Sequence, residues 1–138
     1  TWNSRFATVI EECQRTPRPK QRGTWITPEL KRVYIDFHEA GYAHSLECWR
    51  EDELIGGLYG IYVGGMFCAE SMFFRESNAS KACIVHLVEF LQAHALTWID
   101  TQMVTPTVAQ FGGGNISRRE FLLRVEKAKA SAKLIKFK

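Results

Sequence analysis

The stretch FCAESMFFRESNASKA, Phe67 to Ala82, changes character halfway along, and that change decides the fold. Phe67 to Phe74 is an apolar, aromatic run of strand length interrupted by Glu70. After Arg75 the composition turns polar, and Asn78 or Ser80 can cap a helix whose stripe is Ile84, Leu87, Val88, Leu91 and Ala95, ending near His94. LTWIDTQMV, Leu96 to Val104, then alternates as a strand does, with Trp98, Asp100 and Gln102 on one side and Ile99, Thr101 and Met103 on the other. Strand, helix and strand in succession imply a right-handed crossover that makes the two strands parallel neighbours.

Upstream, AHSLECWR and ELIGGLYGIYVG flank an acidic turn at Glu51 to Glu53, and GMFCAESMFF follows Gly64 and Gly65. These three runs predict an antiparallel meander. Before them, Thr27 is an N-cap with Pro28 in the first turn, and Leu30, Val33, Tyr34 and Phe37 form the apolar stripe of a helix ending near Gly41. Ser4 to Gln14, with Phe6, Val9, Ile10 and Cys13 on one stripe, predicts a shorter helix. At the other end FGGGN breaks the chain, and Ser117 with Glu120 makes a capping box for a final helix with Phe121, Leu122 and Val125 facing inward. The expectation is one α+β domain over residues 1–138, a mixed sheet with an antiparallel meander followed by a strand-helix-strand crossover. That order resembles the GNAT-type acyltransferase fold, in which two parallel strands splay apart and hold the acyl donor. Fold alone does not fix function.

Composition narrows the class. At 138 residues and 46% hydrophobic, the chain can bury a core without metal or disulfide staples. No apolar run approaches the ~20 residues that span a bilayer, and TWNSRFATVIEECQ lacks the centre of a secretory signal. Cys13, Cys48, Cys68 and Cys83 make no CxxC and read as reduced thiols of a cytoplasmic protein. His38, His44, His86 and His94 show no metal-ligand spacing, and GGGN at Gly112 to Asn115 lacks the Lys-Ser/Thr ending of a phosphate loop. No metal and no cofactor is implied. The net charge of +3 is modest, yet basic residues gather in Arg15 to Gly23 and in Lys127 to Lys138, either as solvated loop and tail or as contact for a polyanion.

Five blocks carry a closer resemblance: GTWIT (Gly23 to Thr27), GYAHSLECWREDELIGGLYG (Gly41 to Gly60), MFCAESMFFRESNASK (Met66 to Lys81), IDTQ (Ile99 to Gln102) and GGGNISRREFL (Gly112 to Leu122). In order and separation they are similar to the leucyl/phenylalanyl-tRNA protein transferase family. The resemblance implies a bacterial, cytoplasmic aminoacyltransferase. Its donors are Leu-tRNA and Phe-tRNA, and it moves leucine or phenylalanine to the N-terminal amine of proteins beginning with Lys or Arg, creating a degradation signal; an apolar slot would admit methionine as well. Full-length members carry a further N-terminal domain, so the chain, which begins at Thr1, reads either as a processed or trimmed catalytic domain or as a divergent relative whose donor or acceptor has changed.

By the same resemblance Gln102 and Glu70 are the central residues, with Asp100 behind the amide. An aminoacyl ester is already activated, and an α-amine with a pKa near ~7.7 to 8.0 is partly neutral, so modest base assistance suffices. Gln102 would accept a hydrogen bond from the amine while Asp100 holds its NH2 group, or the pair would relay a proton. Glu70 would bind a cation, either the attacking ammonium or the donor's amino group; otherwise it forms a structural ion pair, for instance with Arg75, or carries a raised pKa with no role. Leu58, Phe67, Met72, Leu87, Leu91 and Ile99 correspond to the donor's apolar slot, with Leu58 and Leu87 where Met and Phe are common. Tyr34 and Trp25 match aromatics that frame its terminal adenosine. The reading requires Gln102 and Glu70 to face one dry crevice. Its rivals are an acetyl-CoA-dependent N-acetyltransferase, although the glycines of that diphosphate loop are missing after Arg75, and a non-catalytic domain that binds N-termini or aminoacyl-tRNA.

Overall fold

The computed structural model describes residues 1–17 and 23–138. Along them run α1 (Phe6–Arg15), α2 (Pro28–Glu39), β1 (Ala43–Arg50), β2 (Glu53–Val63), β3 (Met66–Phe74), α3 (Ala79–Ala93), β4 (Ile99–Asp100), α4 (Pro106–Gln110) and α5 (Arg118–Ala130). The strands form one mixed sheet in the order β1-β2-β3-β4, antiparallel through β3 and parallel between β3 and β4. Gly64 and Gly65, at φ +57° and +79°, supply the left-handed turn that sets Val63 against Met66. The three meander strands thus lie where the sequence places them.

Alternation along the strands gives the sheet two apolar faces. Leu46, Leu58 and Phe67 pack under Cys83, Leu87 and Leu91 of α3, while Tyr59 and Phe73 pack under Phe6, Val9, Ile10 and Cys13 of α1. The first turn of α1 has no side-chain cap of its own. Buried Glu47 of β1 supplies one, accepting from the Ser4 and Arg5 N–H groups at 3.4 and 3.3 Å and from Ser45 Oγ at 2.5 Å.

Several expectations are corrected. In α2 the Thr27 hydroxyl caps the Leu30 N–H at 3.2 Å as predicted, but Leu30, Val33 and Phe37 are exposed. Lys31, Tyr34, Ile35 and His38 form the inward stripe, with His38 stacked 4.2 Å from Phe6. Asn78 stands before α3 at φ +69° without a side-chain cap, and Ala95 is exposed. The strand expected over Leu96 to Val104 shrinks to Ile99–Asp100, followed by the unforeseen α4. Ser117 caps α5 through the Glu120 N–H at 3.2 Å, yet Glu120 reaches Arg124 rather than closing the box, and Leu122 points outward. Of the basic loop from Arg15 to Gly23, residues 18–22 lie outside the described residues.

The lysine-rich tail is not simply solvated. Ile135 and Phe137 are buried between exposed Leu134, Lys136 and Lys138, and Tyr62 Oη donates to the Lys133 carbonyl at 2.8 Å. Phe137 stacks on His44 with ring centroids 3.9 Å apart and lies 5.2 Å from Trp2 and 5.1 Å from Phe90. Burial, with the charge of His38 second, holds the His44 imidazole down to about 4. A base depressed in the folded state binds fewer protons than in the unfolded chain, so stability is full above the ordinary pKa near ~6.5 and is lost as pH falls toward 4. Urea midpoints between pH 7.5 and 4.5 should fall with acid, and a His44→Gln variant should flatten that slope.

Candidate active site

Glu70 owes its position to a β-bulge. Tyr59 faces Ser71 and Gly60 faces Ala69, which leaves Glu70 as the extra residue of β3. The bulge turns its carboxylate toward α2, where Tyr34 Oη donates to it at 3.0 Å. Arg75, the alternative partner, bonds Glu12 at 3.0 Å instead. Half-buried and without an ion pair among the described residues, Glu70 titrates above the ordinary carboxylate range. Desolvation raises it most, the Tyr34 hydrogen bond opposes that, and the charge of Asp100 raises it further. The Tyr34 phenol is itself pushed up, by burial first and then by Glu70.

Asp100 stands opposite Cys68 in the parallel pairing of β3 and β4. Its carboxylate accepts the backbone N–H of Gln102 at 2.9 Å. That bond is an Asx-type turn, and it ends β4 by drawing Gln102 to φ +59°. Asp100 and Gln102 therefore do not share a strand face, and Asp100 holds the main chain of Gln102 rather than its amide. Two carbonyl oxygens, those of Ala69 and Thr101, lie 3.0 Å from one end of the Gln102 side chain, which makes that end the nitrogen. In that orientation no donor among the described residues reaches the amide oxygen. Gln102 is exposed, so the expected dry crevice shared with Glu70 is not found, although its side chain is fastened to Ala69, the residue next to Glu70.

Sequence reasoning missed Cys68. Its thiol, between the two acids, is pushed up to about 11 by burial first and then by Asp100 and Glu70, so it stays protonated. It is an inert member of the site. Period-2 alternation on β3 was the signal that could have placed it beside Asp100.

The six slot positions do come together. Leu58, Phe67, Leu87 and Leu91 are sealed in the cluster under α3, and half-buried Met72 and Ile99 pack against it. This cluster lies on the opposite face of the sheet from Tyr34. β4 pairs with β3 as far as Cys68 with Asp100, so it leaves the edge of β3 beside Glu70 and Met72 unpaired. Trp25 is 41% exposed and lies 6.4 Å from Tyr34 with the two rings steeply inclined. None of these residues lines the hollow between α1 and α2 or the apolar one on α5. Among the described residues no cluster of His, Cys, Asp and Glu could hold a metal ion, and no helix is long and apolar enough to cross a membrane.

The family model described as leucyl/phenylalanyl-tRNA protein transferase matches residues 1–126. Curated proteins of that name are similar throughout: the one from Leptothrix cholodnii is 50% identical over 86% of this chain and 46% of its own length. Those from Azoarcus sp. and Salinibacter ruber are 48% and 51% identical, over 91% and 84% of this chain and 53% and 49% of theirs. The chain spans about half the length of the curated relatives it matches, and with nearly all of its described sheet and helices inside the matched region it belongs to the leucyl/phenylalanyl-tRNA protein transferase family.

Proposed function

We propose that residues 1–138 form one GNAT-like catalytic domain that transfers leucine or phenylalanine, and methionine to a lesser degree, from aminoacyl-tRNA to the N-terminal amine of polypeptides beginning with Lys or Arg. The work is cytoplasmic and marks the product for degradation through its new N-terminus. The observation that carries the reading is the fastening of Gln102 beside Glu70 at the point where β3 and β4 part, with Met72 and Ile99 around the same edge.

In this reading the amine attacks the ester carbonyl carbon while one of its N–H groups donates to the free oxygen of Gln102. The tetrahedral intermediate collapses as the carbon–oxygen bond to the ribose breaks and the amide forms. One amine proton leaves with the ribose hydroxyl. Glu70, steadied by Tyr34, binds the cation that enters or waits there. Met72, an unbranched and adaptable side chain, opens the slot over the sealed leucines, and Trp25 offers its indole face to the terminal adenine. An apolar slot discriminates by only ~1 to 3 kcal/mol per methylene, which admits leucine and phenylalanine together.

The test is to supply Phe-tRNA or acetyl-CoA with a peptide beginning with Arg and to weigh the product. Addition of phenylalanine is the expected result; acetylation alone, or binding without product, overturns the reading. Asp100 has a separable role, because it folds the turn that aims Gln102. Asp100→Asn keeps an oxygen for the Gln102 N–H and should cost a few-fold in kcat, whereas Asp100→Ala should cost about 10- to 100-fold. Equal losses would mean that the charge, not the turn, matters.

A further inference from the structure

Strand β3 outlasts its neighbour. β4 pairs with it only at Phe67 with Ile99 and at Cys68 with Asp100, whereas β3 continues to Phe74. The directions of the backbone groups beyond Glu70 follow from the other side of the sheet. The Arg75 N–H donates to the Ile55 carbonyl at 2.8 Å, and in the same register Phe73 faces Gly57. Phe73 thus turns its N–H and C=O toward β2, and Met72 and Phe74, out of phase with it, turn theirs toward the side that β4 has left. Among the described residues no hydrogen bond reaches those outward groups. Edge strands are ordinarily blunted by Lys or Pro, and ESMFF from Glu70 to Phe74 has neither.

Resting on the transferase reading above, we propose that this edge receives the first residues of the acceptor polypeptide as an added strand, parallel to β3 in the place where β4 would have continued, with its N-terminal ammonium at Glu70. The chemistry of the edge selects this occupant. Outward N–H and C=O groups at strand spacing are matched by another peptide backbone, which donates and accepts at the same repeat. A nucleic-acid end, rich in acceptors, does not match the carbonyls. Glu70 sits at the start of the open run, and among the described residues a neutral phenol is the group that binds its carboxylate, so a cation completes it. Orientation follows: with the amine at Glu70 and Gln102, the chain can leave only along Met72 and Phe74. Affinity then comes from main-chain bonds that any sequence offers, and the choice of Lys or Arg is left to the first side chain.

Hydrogen exchange reads the docking without the reaction. With an Arg-led hexapeptide at saturating concentration, the Met72 and Phe74 amides should slow by tenfold or more while amides of α5 stay unchanged. Unchanged exchange at both amides overturns the proposal, whether or not phenylalanine is transferred. Protection without transfer overturns the transferase reading and leaves the docking in place. A second measurement uses the peptide: methylating its backbone nitrogens one at a time should raise its KM about five- to tenfold at alternate positions only, and equal effects at successive positions overturn the proposal. In the protein, Phe74→Pro removes the outward N–H without touching the β2 ladder and should raise the peptide KM several-fold, whereas Phe74→Ala keeps that N–H and should not. Equal KM values for the two variants count against the docking.

Discussion

A Gln102→Ala variant is expected to transfer phenylalanine about a hundredfold more slowly than the parent chain, with the donor's KM little changed. In the proposed mechanism the amide acts through one atom, its oxygen, which is available because Ala69 and Thr101 hold the nitrogen. A carboxamide barely attracts a proton, so its contribution is alignment of the amine and stabilisation of the charge that nitrogen acquires on attack, both realised only in the transition state. The loss should therefore fall on kcat. Gln102→Glu adds a formal base but forfeits the bonds to both carbonyls and brings a third carboxylate beside Glu70 and Asp100. It should do no better than alanine. Single-turnover transfer from Phe-tRNA to an Arg-led peptide, with circular dichroism to confirm the fold, checks both variants; an undiminished rate for Gln102→Ala would remove the amide from the mechanism.

Phe137→Ala should be the most damaging substitution for stability, although it lies outside the region shared with the family. The ring is 7% exposed and touches His44, Trp2, Phe90, Tyr62 and Phe67, so its loss opens a cavity lined by five aromatic rings that cannot all close in. Truncations of this kind cost about 3–5 kcal/mol. For a chain of this size the melting temperature should drop by roughly 10–15 °C. The same variant uncovers His44, so its imidazole should titrate nearer 6.5 and the acid sensitivity of folding should weaken with it. Calorimetry at pH 7.5 and 5 measures both effects at once.

The meander was legible because its turns are chemically marked: Gly64 and Gly65 can take the left-handed φ, and apolar runs of fixed length flank them. α2 was legible in extent but not in facing. Leu30, Val33 and Phe37 keep helical spacing as faithfully as Lys31, Tyr34, Ile35 and His38, and only packing on Phe6 and Tyr59 decides between the two stripes. The short β4 was hidden for another reason. Alternation in LTWIDTQMV is real, but a side chain within it, Asp100, outbids the sheet for the Gln102 N–H. The residue types of the site were readable from the IDTQ and AES blocks, whereas the bulge that aims Glu70 and the carbonyls that hold Gln102 depend on register and main-chain atoms, which carry no letter in a sequence. The resemblance supplied Tyr34 as a frame for adenosine, while in the fold its hydroxyl is committed to Glu70.

The clasp between the Asn3 amide and the Phe137 carbonyl joins positions 134 apart, and Trp2 belongs to the same aromatic cluster. During synthesis the cluster under α3 must therefore wait, half-built, until position 137 has cleared the ribosomal exit tunnel. Until that segment docks, the partly folded polypeptide carries an uncovered greasy surface, which makes it a client for holdase chaperones.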